Sequence, residues 1–281
     1  MGTSDSYSGG GGAAGNKLRD EVDEWLDSLP NTPPPDQDDG DDGGDHPDNA
    51  DDRPKLPHES LLNVLPLLRP FAGGGRGADG PGGGGGAGGG RDGAAAGRGG
   101  TTGGAQRSAR ASASVAGRAA AAAYALRVGD AETLERMGLD LQSLRANDDP
   151  IDVARQIVNA ACESALSDGT IEDDERRYVA SEVTNWVLEE NEGGAPPTPE
   201  EIVQKSIAVI ISEAAQNETV ERIRRGERPE WASLEAERQL REAAEVLARR
   251  VEVSPEGMTD EDFARAVEEG IETLRRIRGD G

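Results

Sequence analysis

The chain has 281 residues, of which 39 are Gly and 16 are Pro, with 3% aromatics and a formal net charge of −25. The charge is uneven: residues 1–60 hold 16 acids and 4 bases, residues 61–128 hold 2 acids and 8 Arg, and residues 129–281 hold 37 acids and 18 bases. This balance argues against nucleic-acid binding by this chain alone, because only the middle stretch offers cations to displace phosphate counterions, and its Arg are dispersed among Gly like a weak RGG segment.

Gly and Pro concentrate before about residue 105. Ordering such a segment costs about 1–2 kcal/mol per residue in backbone entropy, with little apolar surface to offset it. The expectation is an all-α protein, with a bundle of about six helices preceded by a long disordered Gly/Pro/Asp-rich arm. The arm takes residues 1–107 and the acidic helical domain residues 108–281.

In chain order, the arm opens "MGTSDSYSGGGGAAG". Gly2 is small enough for routine removal of Met1, which would leave an unhindered α-amine. Residues 17–29, "KLRDEVDEWLDSL", place Leu18, Val22, Trp25, Leu26 and Leu29 at helical spacing on one stripe. A helix this short is marginal alone. It is therefore expected either to fold on a partner or to dock on the chain's own domain. Residues 36–52 are Asp-rich, but no window has the spacing of a calcium loop, so they read as an acidic linker. Residues 60–71, "SLLNVLPLLRPF", form a hydrophobic island, either a second docking motif or a segment tucked against the domain. The poly-Gly tract 73–104 follows, in which 19 of 32 residues are Gly. Its GxGxxG (Gly75, Gly77, Gly80) lacks a preceding strand and a following helix.

From about Ser108 the sequence is Ala-rich and helix-compatible. One helical stripe follows with Leu134, Met137, Leu141 and Leu144. The next opens at Asp149-Pro150 and carries Ile151, Ala154, Ile157, Val158, Ala161 and Ala165. Thr170 is expected to cap a helix with Val179, Val183, Trp186 and Val187 inward. Thr198-Pro199-Glu200-Glu201 reads as a capping box opening a long helix. That capping box favours helix over strand for the apolar run Ile207–Ile211. Trp231, Leu234, Leu240, Ala244, Leu247 and Val251 mark another inward stripe, and Phe263, Val267, Ile271 and Leu274 the last.

Chemistry-bearing groups are sparse. Both histidines, His46 and His58, lie in the arm, which leaves the helical domain without an imidazole. The acids Glu172, Asp173, Asp174 and Glu175 suit the first turn of a helix, where they oppose its dipole. Cys162, the only cysteine, excludes a disulfide and reads as a small hydrophobe. No catalytic, cofactor-binding or metal-binding residue is assigned, and the chain is expected not to be an enzyme. No apolar run reaches 18 residues and no signal peptide is recognisable, so the expected location is cytoplasmic.

The order of segments is similar to a known family. "MGTSDSYSGG", the Trp-Leu motif "DEWLDSL", the stretch "RSARASASVAGRAAAAAYAL" and "LERMGLDLQSL…DGTIEDDERRYVASEV" together resemble the QatB family. QatB proteins are components of the four-gene Qat anti-phage defence system. The resemblance implies as partners an ATPase, a QueC-like deazapurine enzyme and a TatD-like nuclease. It also implies a role for Gly2 as acceptor, because QueC chemistry activates a carboxylate with ATP and passes it to an amine. Two alternatives stand beside it. One is a scaffold or regulator acting through residues 17–29 without modification. The other is an N-myristoylated scaffold, since Met1-Gly2-x-x-x-Ser6 fits that pattern, although the segment lacks the polybasic second signal that stable anchoring needs.

Overall fold

The computed structural model describes residues 12–30, 54–68, 104–163, 171–189, 194–225 and 229–279. Described residues are mostly helical and contain no strand. Helix α1 is Gly12–Ser28. After a 3-10 turn at His58–Asn63 come α2 (Gly104–Val128), α3 (Ala131–Arg136), α4 (Leu141–Ala146), α5 (Pro150–Glu163), α6 (Ile171–Glu189), α7 (Pro199–Arg225), α8 (Glu230–Ala248) and α9 (Asp260–Gly279).

The centre of the molecule is α2. Ala113, Ala116, Ala119–Ala123 and Ala125 are all buried, and α2 packs on α5, α6, α7 and α9. Small side chains let neighbours close in on it. A Cβ on Gly117 would lie 2.6 Å from the backbone N of Ala264, so α2 and α9 touch backbone to backbone there. Gly270 on α9 makes room for side chains instead, since a Cβ there would meet Ile207 Cδ1 at 2.3 Å. Phe263 fills the space between α9 and α2, fully buried with Tyr124 at a ring-centroid distance of 6.4 Å.

Helix ends follow the sequence signals. Asp130 accepts from the Thr133 N–H at 3.2 Å and the Thr133 hydroxyl at 2.7 Å, while Asp140 accepts from the Ser143 N–H at 2.7 Å. The Thr133 and Ser143 side chains, together with these N–H groups, hold both carboxyls below the usual Asp range. Thr198 and Glu201 form the reciprocal capping box: the Thr198 N–H donates to Glu201 Oε2 at 2.7 Å, and the Glu201 N–H donates to Thr198 Oγ1 at 3.3 Å. Thr259 and Asp262 repeat the arrangement at the start of α9.

Several expectations change. Residues 104–279 carry eight helices among the described residues, against about six expected. Gly138, in the left-handed region at φ 76°, divides one expected stripe into the six-residue α3 and α4. Ile151 at 78% and Leu234 at 63% are exposed rather than inward. Each sits in the opening turns of its helix, where less of the neighbouring structure overlaps it. Trp186 and Trp231 are half-buried. Thr170, Ala165, the acidic linker 36–52 and poly-Gly residues 73–103 lie outside the described residues.

The boundary at residue 107 also changes. Helix α2 begins at Gly104, and both apolar segments of the arm belong to the same core as the bundle. Leu18, Val22, Leu61, Val64 and Leu65 are fully buried. The physical reason is mutual burial: neither segment can bury its stripe alone, and together on α7, α8 and α9 they can.

Candidate functional site at the N-terminal seam

The residues expected to bind a partner fall into one place. Leu18, Val22, Trp25 and Leu26 line the inner face of α1, and Leu29 packs partly buried beside them. Their partner here is the chain itself, since α1 packs on α7 and on the 3-10 turn. Of the two expectations for 17–29, folding on a partner or docking on the chain's own domain, the structure shows the docked helix.

Polar contacts fix this docking at defined points. Trp25 Nε1 donates to the Pro54 carbonyl at 2.7 Å, which ties α1 to the returning chain. Asn63 Nδ2 donates to Glu21 at 3.1 Å. Arg19 lies over α7, with its guanidinium 2.6 Å from the Glu218 carboxylate, and it also donates to the Glu218 main-chain carbonyl at 3.1 Å. One turn along, Arg222 meets Asp23 at 3.2 Å. Gly15 permits the approach, because a Cβ there would lie 2.2 Å from Glu218 Oε1. Burial pushes the Glu218 carboxyl above the usual Glu range, and the Arg19 charge opposes that push only in part.

The second segment is held just as specifically. The Leu56 N–H donates to the buried Gln239 of α8 at 3.2 Å. Arg275 of α9 donates to the Leu65 carbonyl at 3.1 Å and also to the Leu68 carbonyl. Arg250 contacts His58 and Glu59. Residues 12–30 and 54–68 therefore form a strap over α7, α8 and α9.

A polar cleft lies elsewhere, between α6, α7 and α8, where Tyr178, Glu182, Lys205, Ser212, Arg241 and Glu245 meet. Lys205 is taken there by Glu245 at 2.8 Å and stands 6.0 Å over the Trp186 ring. Nearby Glu213 has its carboxyl raised by burial, with the charges of Glu175 and Glu182 adding to the effect. The cleft's cation Lys205 is thus paired within the chain.

The remaining candidates resolve as follows. Gly2 lies outside the described residues. His58 sits on the strap and pairs with Glu59 at 2.6 Å. Asp173 pairs with Arg176 at 3.1 Å, and Glu175 accepts from Asn217 at 3.0 Å. No group among the described residues has the arrangement to hold a metal ion. Cys162 is half-buried beside Val115, Ala119 and Ala180, and burial raises its thiol. Two Arg of the middle stretch serve the fold: Arg118 pairs with Asp260 at 3.4 Å and donates to the Ala160 carbonyl, and Arg127 donates to the Leu188 carbonyl. No helix among the described residues is long and apolar enough to cross a membrane.

Sequence reasoning missed Glu218, Arg222 and Gly15. A glutamate and an arginine four apart read as an ordinary exposed pair, and Gly15 as the end of a Gly-rich leader. The one available signal was Gly-x-x-x-Arg-x-x-x-Asp (Gly15, Arg19, Asp23) flanking the apolar stripe. Compared with known proteins, the chain matches no family model, no curated sequence and no solved structure.

Proposed function

We propose that the chain is a non-catalytic adaptor of a Qat-type anti-phage defence system. Gly2, freed by removal of Met1, is presented for conjugation by a QueC-like enzyme, and the helical domain docks on a partner such as the system's ATPase. The observation that carries the reading is the ordered set of segments from "MGTSDSYSGG" through "DEWLDSL" to "DGTIEDDERRYVASEV".

The docked strap supports it in one respect. Gly2 stands ten residues before Gly12, the first residue of α1. Ten extended residues span at most about 35 Å, so an amine at Gly2 would work within that radius of the seam. A partner bound to the helical domain would then meet its acceptor at short range. In the alternative regulator reading, residues 17–29 would first have to leave the core, because their apolar face is already buried.

Intact mass of the chain, co-expressed with its neighbouring genes, tests the reading. A deazapurine-sized adduct that maps to Gly2 and disappears in Gly2→Asp is expected. An unmodified N-terminus overturns it, and a myristoyl-sized adduct favours the lipid-anchored alternative.

A further inference from the structure

The seam under α1 is more selective than helix packing requires. Glu218 is a half-buried carboxylate between two helices, facing one guanidinium. Removing such a pair from water costs about as much as their attraction returns, so an apolar pair would hold the seam at least as firmly. What the charges add is discrimination. A helix fits best with little bulk over the carboxylate, where any side chain would make Glu218 shift, a cation one turn later and an acid one turn after that. Gly15, Arg19 and Asp23 meet these needs at i, i+4 and i+8. The contacts advance along both helices together, from Glu218 to Arg222, which also sets the direction of the incoming helix.

The occupant is attached in a way that lets it leave. Helix α1 has 17 residues, little beyond the about 12–15 below which isolated helices are marginal, and it begins with a Gly-Ala-Ala-Gly stretch of weak propensity at its two glycines. Between Pro30 and Pro54 run 23 residues (31–53), a length that spans up to about 75 Å when extended, so once the Trp25–Pro54 and Asn63–Glu21 bonds are given up α1 can move away while 54–68 keeps its contacts with α8 and α9. Helix α7, on which α1 sits, packs also on α2, α6, α8 and α9, so most of its neighbours lie in the body beneath.

We propose that this groove on α7 is a docking site for an amphipathic helix of a partner protein, and that α1 is its in-cis occupant. The partner helix carries the same code as α1: an apolar stripe flanked by a glycine, a cation four residues later and an acid four after that. The Glu218 carboxylate selects the cation, and Arg222 the acid. This surface is separate from Gly2 and does not depend on the defence-system reading.

The test uses the full chain and a fluorescein-labelled peptide of residues 12–29 as the partner helix. Arg19→Glu puts a second carboxylate against Glu218 and should expel α1. The labelled peptide is then expected to bind Arg19→Glu, read by anisotropy, about tenfold or more tighter than it binds the wild-type chain. In Arg19→Glu/Glu218→Arg the cis pair is restored with reversed charges, and peptide binding should fall again. A peptide with its own Arg replaced by Met should lose about tenfold on the Arg19→Glu chain. Equal binding of the native and Met peptides overturns the proposal, as does no binding to an Arg19→Glu chain of native helicity. Should Arg19→Glu unfold the body, hydrogen exchange on the wild-type chain with excess peptide decides. Faster exchange in 12–28 with α7 still protected supports displacement, and unchanged exchange overturns it.

Discussion

Two helices of this chain, α1 and α2, reach the same core by opposite means. Helix α1 is amphipathic, with large apolar residues on one face, acids on the other, and ion pairs along the edge of its seat. Helix α2 has almost no large side chains in its buried stretch, and at Gly117 its neighbour α9 comes within backbone distance. The difference sets how each is held. A helix packed by close backbone approach has no slack, because interiors are dense and a single added methyl must displace something rigid. A helix seated through side chains and ion pairs along its edge is held by contacts that can open locally, and local opening is the expectation for α1.

The largest expected effect falls on the α2 side. Phe263→Ala empties the space between α9 and α2 and should cost about 3–5 kcal/mol in a denaturant titration, with all helices lost in one transition. Gly117→Val comes next. Its side chain would strike the Ala264 backbone, which cannot rotate away, so a loss of about 1–3 kcal/mol or more is expected despite the better helix propensity of Val over Gly. A neutral result would show that α2 and α9 are not in backbone contact.

On the α1 side the expectation is local. Trp25→Ala removes a buried ring and its bond to the Pro54 carbonyl. Exchange or proteolysis should accelerate in 12–28 by at least about tenfold, while the melting of α2 and α9 moves little. If the whole molecule melted together instead, the contrast between the two helices would fail.

The smallest effect is electrostatic. Burial raises the Glu213 carboxyl, helped by Glu175 and Glu182, so the folded state holds a proton more tightly than the unfolded chain. Stability from this group is present below the unfolded Glu value and is lost as pH rises through the folded one. Glu213→Gln should therefore be slightly more stable than wild type at neutral pH. That advantage should shrink as pH falls into the carboxylate range, read as a narrowing difference in melting temperature. An advantage that grows on acidification would reverse the sign of the argument.

How much was legible in the sequence follows from the same contrast. The stripe of Leu18, Val22, Trp25 and Leu26 could be read directly, since helical spacing is a property of consecutive residues, but what it packs on could not. The stripe of α9, the capping box at Thr198, and the helical state of Ile207–Ile211 were likewise local and readable. The burial of α2 left little trace in the pattern, because Ala has almost no amphipathic contrast to display. Ile151 and Leu234 misled because periodicity counts every apolar residue on a face, including those beyond the edge of the contact.

What the sequence determined by itself, then, was which stretches are helical, where they are capped, and that acids predominate outside the middle stretch. These depend on neighbours within about four positions along the chain. Only the tertiary structure decided that the strap joins the core, that Glu218 receives Arg19 across 199 positions, and that Gly117 lets α9 touch α2. Those outcomes turn on which surfaces find each other in space, and no spacing within a single helix records that.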